Sequence, residues 1–176
     1  MSGQAGRYQR SAAGMVGAMI VLVGGIIGFV VLRDVNRDDP PSPVRPIDYA
    51  PDAAYAREQA GFDVVAPETL PRGWRATTAG YVAGAGESWH LGVLTDDNRY
   101  VGLEQGQKSL ASMVEEYVDK DARRGAAVDV DGRTWRSYTD AGGDLALVRR
   151  DGDATTLVVG HDVPKATLVS YTAGLS

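Results

Sequence analysis

Two histidines, His90 and His161, and scattered aspartates and glutamates are the groups in this sequence suited to moving protons, and cysteine is absent. Without cysteine there is no thiolate nucleophile and no zinc-thiolate site, and two histidines bind most metals only with carboxylate help. Gly86-Glu87-Ser88-Trp89-His90 approaches a serine nucleophile elbow, but the closing glycine is missing and a strand-like run follows where that motif needs a helix. His161 stands beside Asp162, yet side chains of adjacent residues diverge and do not form a relay. Gly102 to Ser109 resembles a phosphate-binding loop in its place between strand and helix. That loop needs four residues between its glycines and a lysine directly after the second. Here three intervene, and Gln107 separates Gly106 from Lys108. Asp129, Asp131, Asp151 and Asp153 imitate calcium ligands, but the third acidic position and the bidentate glutamate of a calcium loop are missing, so they read as turn residues. No cofactor or metal is expected.

The elements that must position these groups follow from periodicity and punctuation. Pro67 and Leu70-Pro71-Arg72-Gly73-Trp74 make a turn into a strand over residues 75–82. Trp89, Leu91 and Val93 then alternate with His90, Gly92 and Leu94, and after Asp96-Asp97-Asn98 the chain returns over 100–105 to complete a meander. Leu110, Met113, Val114, Tyr117 and Val118 form one apolar helical stripe, with Ser109 as N-cap. This helix is expected to run on to Arg123 and Arg124 and stop at Gly125. Asp131-Gly132 and Asp151-Gly152 mark two further hairpins, and a last helix is expected from an Asp162 cap to Ala173. The fold class is α+β, a largely antiparallel sheet with one or two helices packed on one face. Trp74, Trp89 and Trp135 read as core. If any reaches the surface, Trp89 or Trp135 is the natural anchor of an interaction surface that also takes in His90, Tyr100 and Gln105.

Residues 11–32 are 22 residues without a charged side chain, enough for a helix of roughly 33 Å against a hydrocarbon core of about 30 Å. No polar stripe interrupts the run, and Phe29-Val30-Val31-Leu32-Arg33 offers a signal peptidase no pair of small residues. The expectation is a single transmembrane helix after a cytoplasmic head, 1–10. A proline-rich stalk with a short helix spans 33–60, and an exported domain spans 61–176. Basic residues flank the span almost evenly, so orientation rests on the short head staying inside. Gly24 and Gly28 form a G-x-x-x-G pair suited to a weak helix–helix contact and homodimer. The 61–176 segment carries 12 basic and 17 acidic residues, hence the whole net charge of −5. Such a surface argues against nucleic acid as a partner.

Leu70-Pro71-Arg72-Gly73-Trp74, Trp89-His90-Leu91-Gly92 and Tyr100-Val101-Gly102-Leu103-Glu104-Gln105, following an apolar N-terminal run, resemble the actinobacterial domain of unknown function 4245 family. That resemblance implies a single-pass plasma-membrane protein of undetermined activity. A more distant likeness in element order, to exported domains associated with anti-sigma systems, implies an envelope protein partner. Two functional classes follow. One is a noncatalytic binding, sensing or protein-interaction module of the cell envelope. The other is an envelope hydrolase using His90 or His161 with carboxylates.

Overall fold

The structure, a computed structural model, describes residues 44–176. The expected span over 11–32, with Gly24 and Gly28, lies outside the described residues. Among the described residues no helix is long and apolar enough to cross a membrane.

In chain order the elements are α1 (Ala50–Gln59), β1 (Arg75–Val82), β2 (Ser88–Leu94), β3 (Tyr100–Gly106), α2 (Leu110–Tyr117), β4 (Arg123–Val130), β5 (Arg133–Thr139), β6 (Asp144–Asp151), β7 (Ala154–His161) and α3 (Lys165–Ala173). The strands make one seven-stranded antiparallel sheet in the order β1-β2-β3-β7-β6-β5-β4. The expected α+β class holds, and the meander β1-β2-β3 is as expected. β7 takes the centre because Ala154 to Gly160 are apolar, small or threonine and are buried on both faces of the sheet.

Turn chemistry fixes the registers. Gly73 has φ +83° and the Trp74 N–H donates to the Pro71 carbonyl at 3.0 Å. The L-P-R-G-W motif is therefore a type II turn, with glycine where positive φ is required. Asp131 and Gly132 both have positive φ (55° and 74°) between the paired Val130 and Arg133, a type I′ hairpin. The β6–β7 turn falls one residue later than expected. Asp151 pairs with Ala154, and Gly152 and Asp153 form the loop, with positive φ at Gly152 alone.

Several expectations are corrected. The helix α2 ends at Tyr117, and Arg123, Arg124 and Gly125 lie in β4. Gly125 is needed in that strand because a Cβ there would sit 2.6 Å from the Ser137 Oγ. Ser109 caps α2 as expected, its Oγ accepting from the Ser112 N–H at 3.1 Å. The last helix starts at Lys165 behind Pro164, not from an Asp162 cap, and Asp162 takes a left-handed conformation at φ 53°.

The helices also lie on both faces. Trp89, Leu91, Val93, Val101, Leu103, Leu147 and Val158 point to the face that holds Ala53 and Ala56 of α1 and Leu168 and Tyr171 of α3. Ala146, Val148, Leu157 and Val159 point to the opposite face and meet Met113 and Val114 of α2. Strand alternation makes two faces apolar, and each needs a cover. Finally, α1 belongs to the body rather than to a stalk. Ala53 and Ala56 are in the core, the Ile47 N–H donates to the Ala76 carbonyl, and the compact unit is Val44–Ser176.

Candidate functional site

On its own face of the sheet α2 packs mainly over β6 and β7, and Glu116 and Tyr117 reach toward Glu104 of β3. Over β1, β2 and β3 this face carries Gly80, Gly92 and Gly102, which keep the surface low, and a hydrogen-bonded series across three strands. His90 is paired in register with Glu104 on one side and Gly80 on the other, and Thr78 is paired with Gly92. His90 Nδ1 lies 2.5 Å from Glu104 Oε1, and His90 Nε2 lies 2.8 Å from Thr78 Oγ1. An ionised carboxylate only accepts, so the Nδ1–H donates to Glu104 and leaves Nε2 to accept from the threonine hydroxyl.

Exposure grades along the series. The Glu104 side chain is 7% exposed and that of His90 36%, and Thr78 is open to solvent. Burial pushes the Glu104 carboxyl up from its usual range, against the lowering pull of the His90 hydrogen bond. Lys108 and Glu116, an ion pair beside it, act on it with opposite signs. Tyr100 lies across the glycine floor, its hydroxyl 3.2 Å from where a Gly92 Cβ would stand; the Thr78 Oγ1 is 2.5 Å from the same point. Burial, followed by the nearby Glu104, pushes Tyr100 up to about 12, so it stays a hydrogen-bond donor.

His161 is on the same face of the sheet but in a separate pair. Its Nδ1 lies 2.8 Å from Asp144 Oδ1, and both the Asp144 hydrogen bond and the nearby Asp162 raise its pKa.

The other residues expected on an interaction surface are on the α1/α3 face. Trp89 is fully buried and its Nε1–H donates to the Val65 carbonyl at 3.1 Å, so it is core and not a surface anchor. Gln105 is buried too. It accepts from the Val65 N–H at 2.7 Å and donates to Thr156 Oγ1 at 2.9 Å and to the Asp63 carbonyl at 3.3 Å, which ties the 61–66 segment to the sheet. Every polar atom of its amide is engaged. Trp135 is 5% exposed, and its ring lines a cavity of about 140 Å³ with Val65, Arg133, Arg149, Asp131 and Asp151. The Arg149 guanidinium stands 5.9 Å from the ring centroid and pairs with Asp151. The Trp135 Nε1–H is buried without a hydrogen-bond partner, and such an orphan costs roughly 1–3 kcal/mol.

The five expected surface residues thus divide between two faces. His90 and Tyr100 sit on the open glycine floor, Trp135 borders the cavity, and Trp89 and Gln105 are structural. Sequence reasoning missed Thr78, Glu104, Arg133 and Arg149. The register of the β2–β3 hairpin was the available signal for Glu104, because centring that turn on Asp97 sets residue 90 opposite 104. Among the described residues no group of three or more His, Asp or Glu could hold a metal.

No match is found among curated proteins. A family match covers residues 7–169, nearly the whole sequence and including the turn, strand and hairpin described above, so the chain belongs to the family described as protein of unknown function DUF4245.

Proposed function

We propose that this protein is a membrane-anchored, extracytoplasmic binding module of the cell envelope that takes a small carboxylate ligand in the Trp135 cavity. The uncharged run at 11–32 supports the anchor. The observation that carries the binding reading is the buried indole N–H of Trp135, without an acceptor, on a ring that lines a cavity bordered by Arg133 and Arg149 and by Asp131 and Asp151, the last already paired with Arg149. A carboxylate there would accept from that N–H and from Arg133, which makes no ion pair among the described residues. A volume near 140 Å³ suits a small organic acid.

Melting of the full chain against a panel of mono- and dicarboxylates tests the ligand class. A binder at 100 times its Kd stabilises by about 2.7 kcal/mol, a gain that Trp135→Phe and Arg133→Gln should abolish. A photo-crosslinking residue at Arg133 would identify the native ligand or protein partner in cells. Absence of any carboxylate effect, together with only background capture, refutes the binding reading. Alkaline phosphatase and GFP fusions at the C-terminus test orientation, and a fluorescent, phosphatase-inactive fusion would place the body in the cytoplasm.

A further inference from the structure

The open half of the sheet holds a set of groups that ligand binding on the opposite face does not use. Thr78, His90 and Glu104 come from three adjacent strands and are joined by hydrogen bonds of 2.8 and 2.5 Å in the order hydroxyl, imidazole, carboxylate. We propose that this series is a nucleophilic centre that hydrolyses acyl esters, with Thr78 Oγ as nucleophile and His90 as base and then acid. Glu104 is a positioning residue that holds the imidazole tautomer.

In the first half of the reaction Thr78 Oγ bonds to the acyl carbon as its proton passes to His90 Nε2. The tetrahedral adduct then expels the alcohol, which takes that proton, and an acyl-Thr78 remains. Water next gives a proton to His90 and attacks the acyl carbon; Thr78 departs and recovers the proton, so ester and water become acid and alcohol. Developing negative charge needs a donor, and on a sheet face the backbone N–H groups are engaged in the ladder. Tyr100 supplies one, because its hydroxyl and that of Thr78 flank the same point above Gly92. Gly80, with no atom within 4 Å of where its Cβ would stand, leaves the approach to His90 open. An unwalled floor of this kind suits an acyl group carried on a larger molecule.

The test uses the full chain with p-nitrophenyl acetate, following both p-nitrophenol release and the mass of a trapped acetyl adduct. The expected adduct is on Thr78. Thr78→Val removes it, Thr78→Ser retains it, and His90→Gln slows acylation by roughly 10²- to 10⁴-fold. Gly92→Ala places a methyl 2.5 Å from Thr78 Oγ1 and should abolish acylation with the circular dichroism spectrum unchanged. Tyr100→Phe should lower kcat with KM unchanged. Glu104→Gln should lower kcat with KM unchanged and Glu104→Asp should recover part of the loss, a split and a rescue that a purely structural role would not produce. Folded wild-type protein that forms no adduct, or acylation rates equal in wild type, Thr78→Val and His90→Gln, overturns the proposal. Acylation is read as a covalent adduct on Thr78 and carboxylate binding as a shift in melting, so failure of one is distinct from failure of the other.

Discussion

Replacing Trp89 with phenylalanine separates a core residue from a surface anchor. The side chain is fully buried between the sheet and the 61–66 segment, and its indole N–H holds the Val65 carbonyl at 3.1 Å. Phenylalanine keeps an aromatic ring but leaves that buried acceptor unpaired, at roughly 1–3 kcal/mol, taken here near the low end for a carbonyl. The ring is also smaller by roughly 40 Å³, and at about 24 cal/mol per Å³ of residual cavity this adds about 1 kcal/mol. Lost contact area brings the expected destabilisation to about 2–3 kcal/mol. For a domain of this size that is a fall in Tm on the order of 6–15 °C. Urea unfolding of the Val44–Ser176 unit, followed by far-UV circular dichroism, reads it as a lower midpoint at unchanged slope. The same variant should bind carboxylates like the wild type at temperatures where it is folded. A loss below about 0.5 kcal/mol, the range of ordinary surface substitutions, refutes the placement of Trp89 in the core.

Other perturbations test other parts of the fold. Gly73→Ala forces a side chain into φ +83° and sets a Cβ 2.9 Å from that of Asp96; a cost of at least about 1–2 kcal/mol is expected by the same denaturation assay. Ser109→Ala removes the α2 cap and should cost about 1 kcal/mol, with urea midpoints as the measure. The folded pKa of His161 is raised, so its stabilising contribution is complete below the unfolded value of about 6.5 and is lost as pH rises through the folded value. NMR titration should find the His161 pKa above 6.5 in the wild type and closer to 6.5 in Asp144→Asn. Equal values in the two proteins refute the pairing.

The parts of this fold that local rules determine were legible in the sequence. The strand expected over 75–82 and the Ser109 cap stand as read, because each is decided by residues within one turn or one hairpin. Misreadings came where distant contacts overrode local ones. Arg123, Arg124 and Gly125 carry a sound helix C-terminal signal, but pairing with β5 draws them into an edge strand. Ala50–Gln59 has no apolar stripe, because its buried contacts are two alanines, and composition alone makes it part of a stalk. The hydroxyl–imidazole–carboxylate series was hidden for a similar reason. Thr78 and Glu104 are 26 positions apart in sequence and meet His90 only through cross-strand register, which the β-bulge between Ala76 and Thr78 shifts by one residue.

The place of β7 has a consequence for how the molecule is made. It is made after the other six strands of the sheet, yet it stands between the β1-β2-β3 meander and β6. Until residues 154–161 are available, the first meander has an unpaired edge at β3 and the second an unpaired edge at β6. Two open edges of this kind invite intermolecular pairing. Joining Val101–Gly106 to Thr155–Gly160 closes a long loop late, which makes assembly slow and all-or-none. A nascent chain can therefore complete neither half alone, and a truncation that removes only β7 and α3 should yield an aggregating chain rather than a smaller domain.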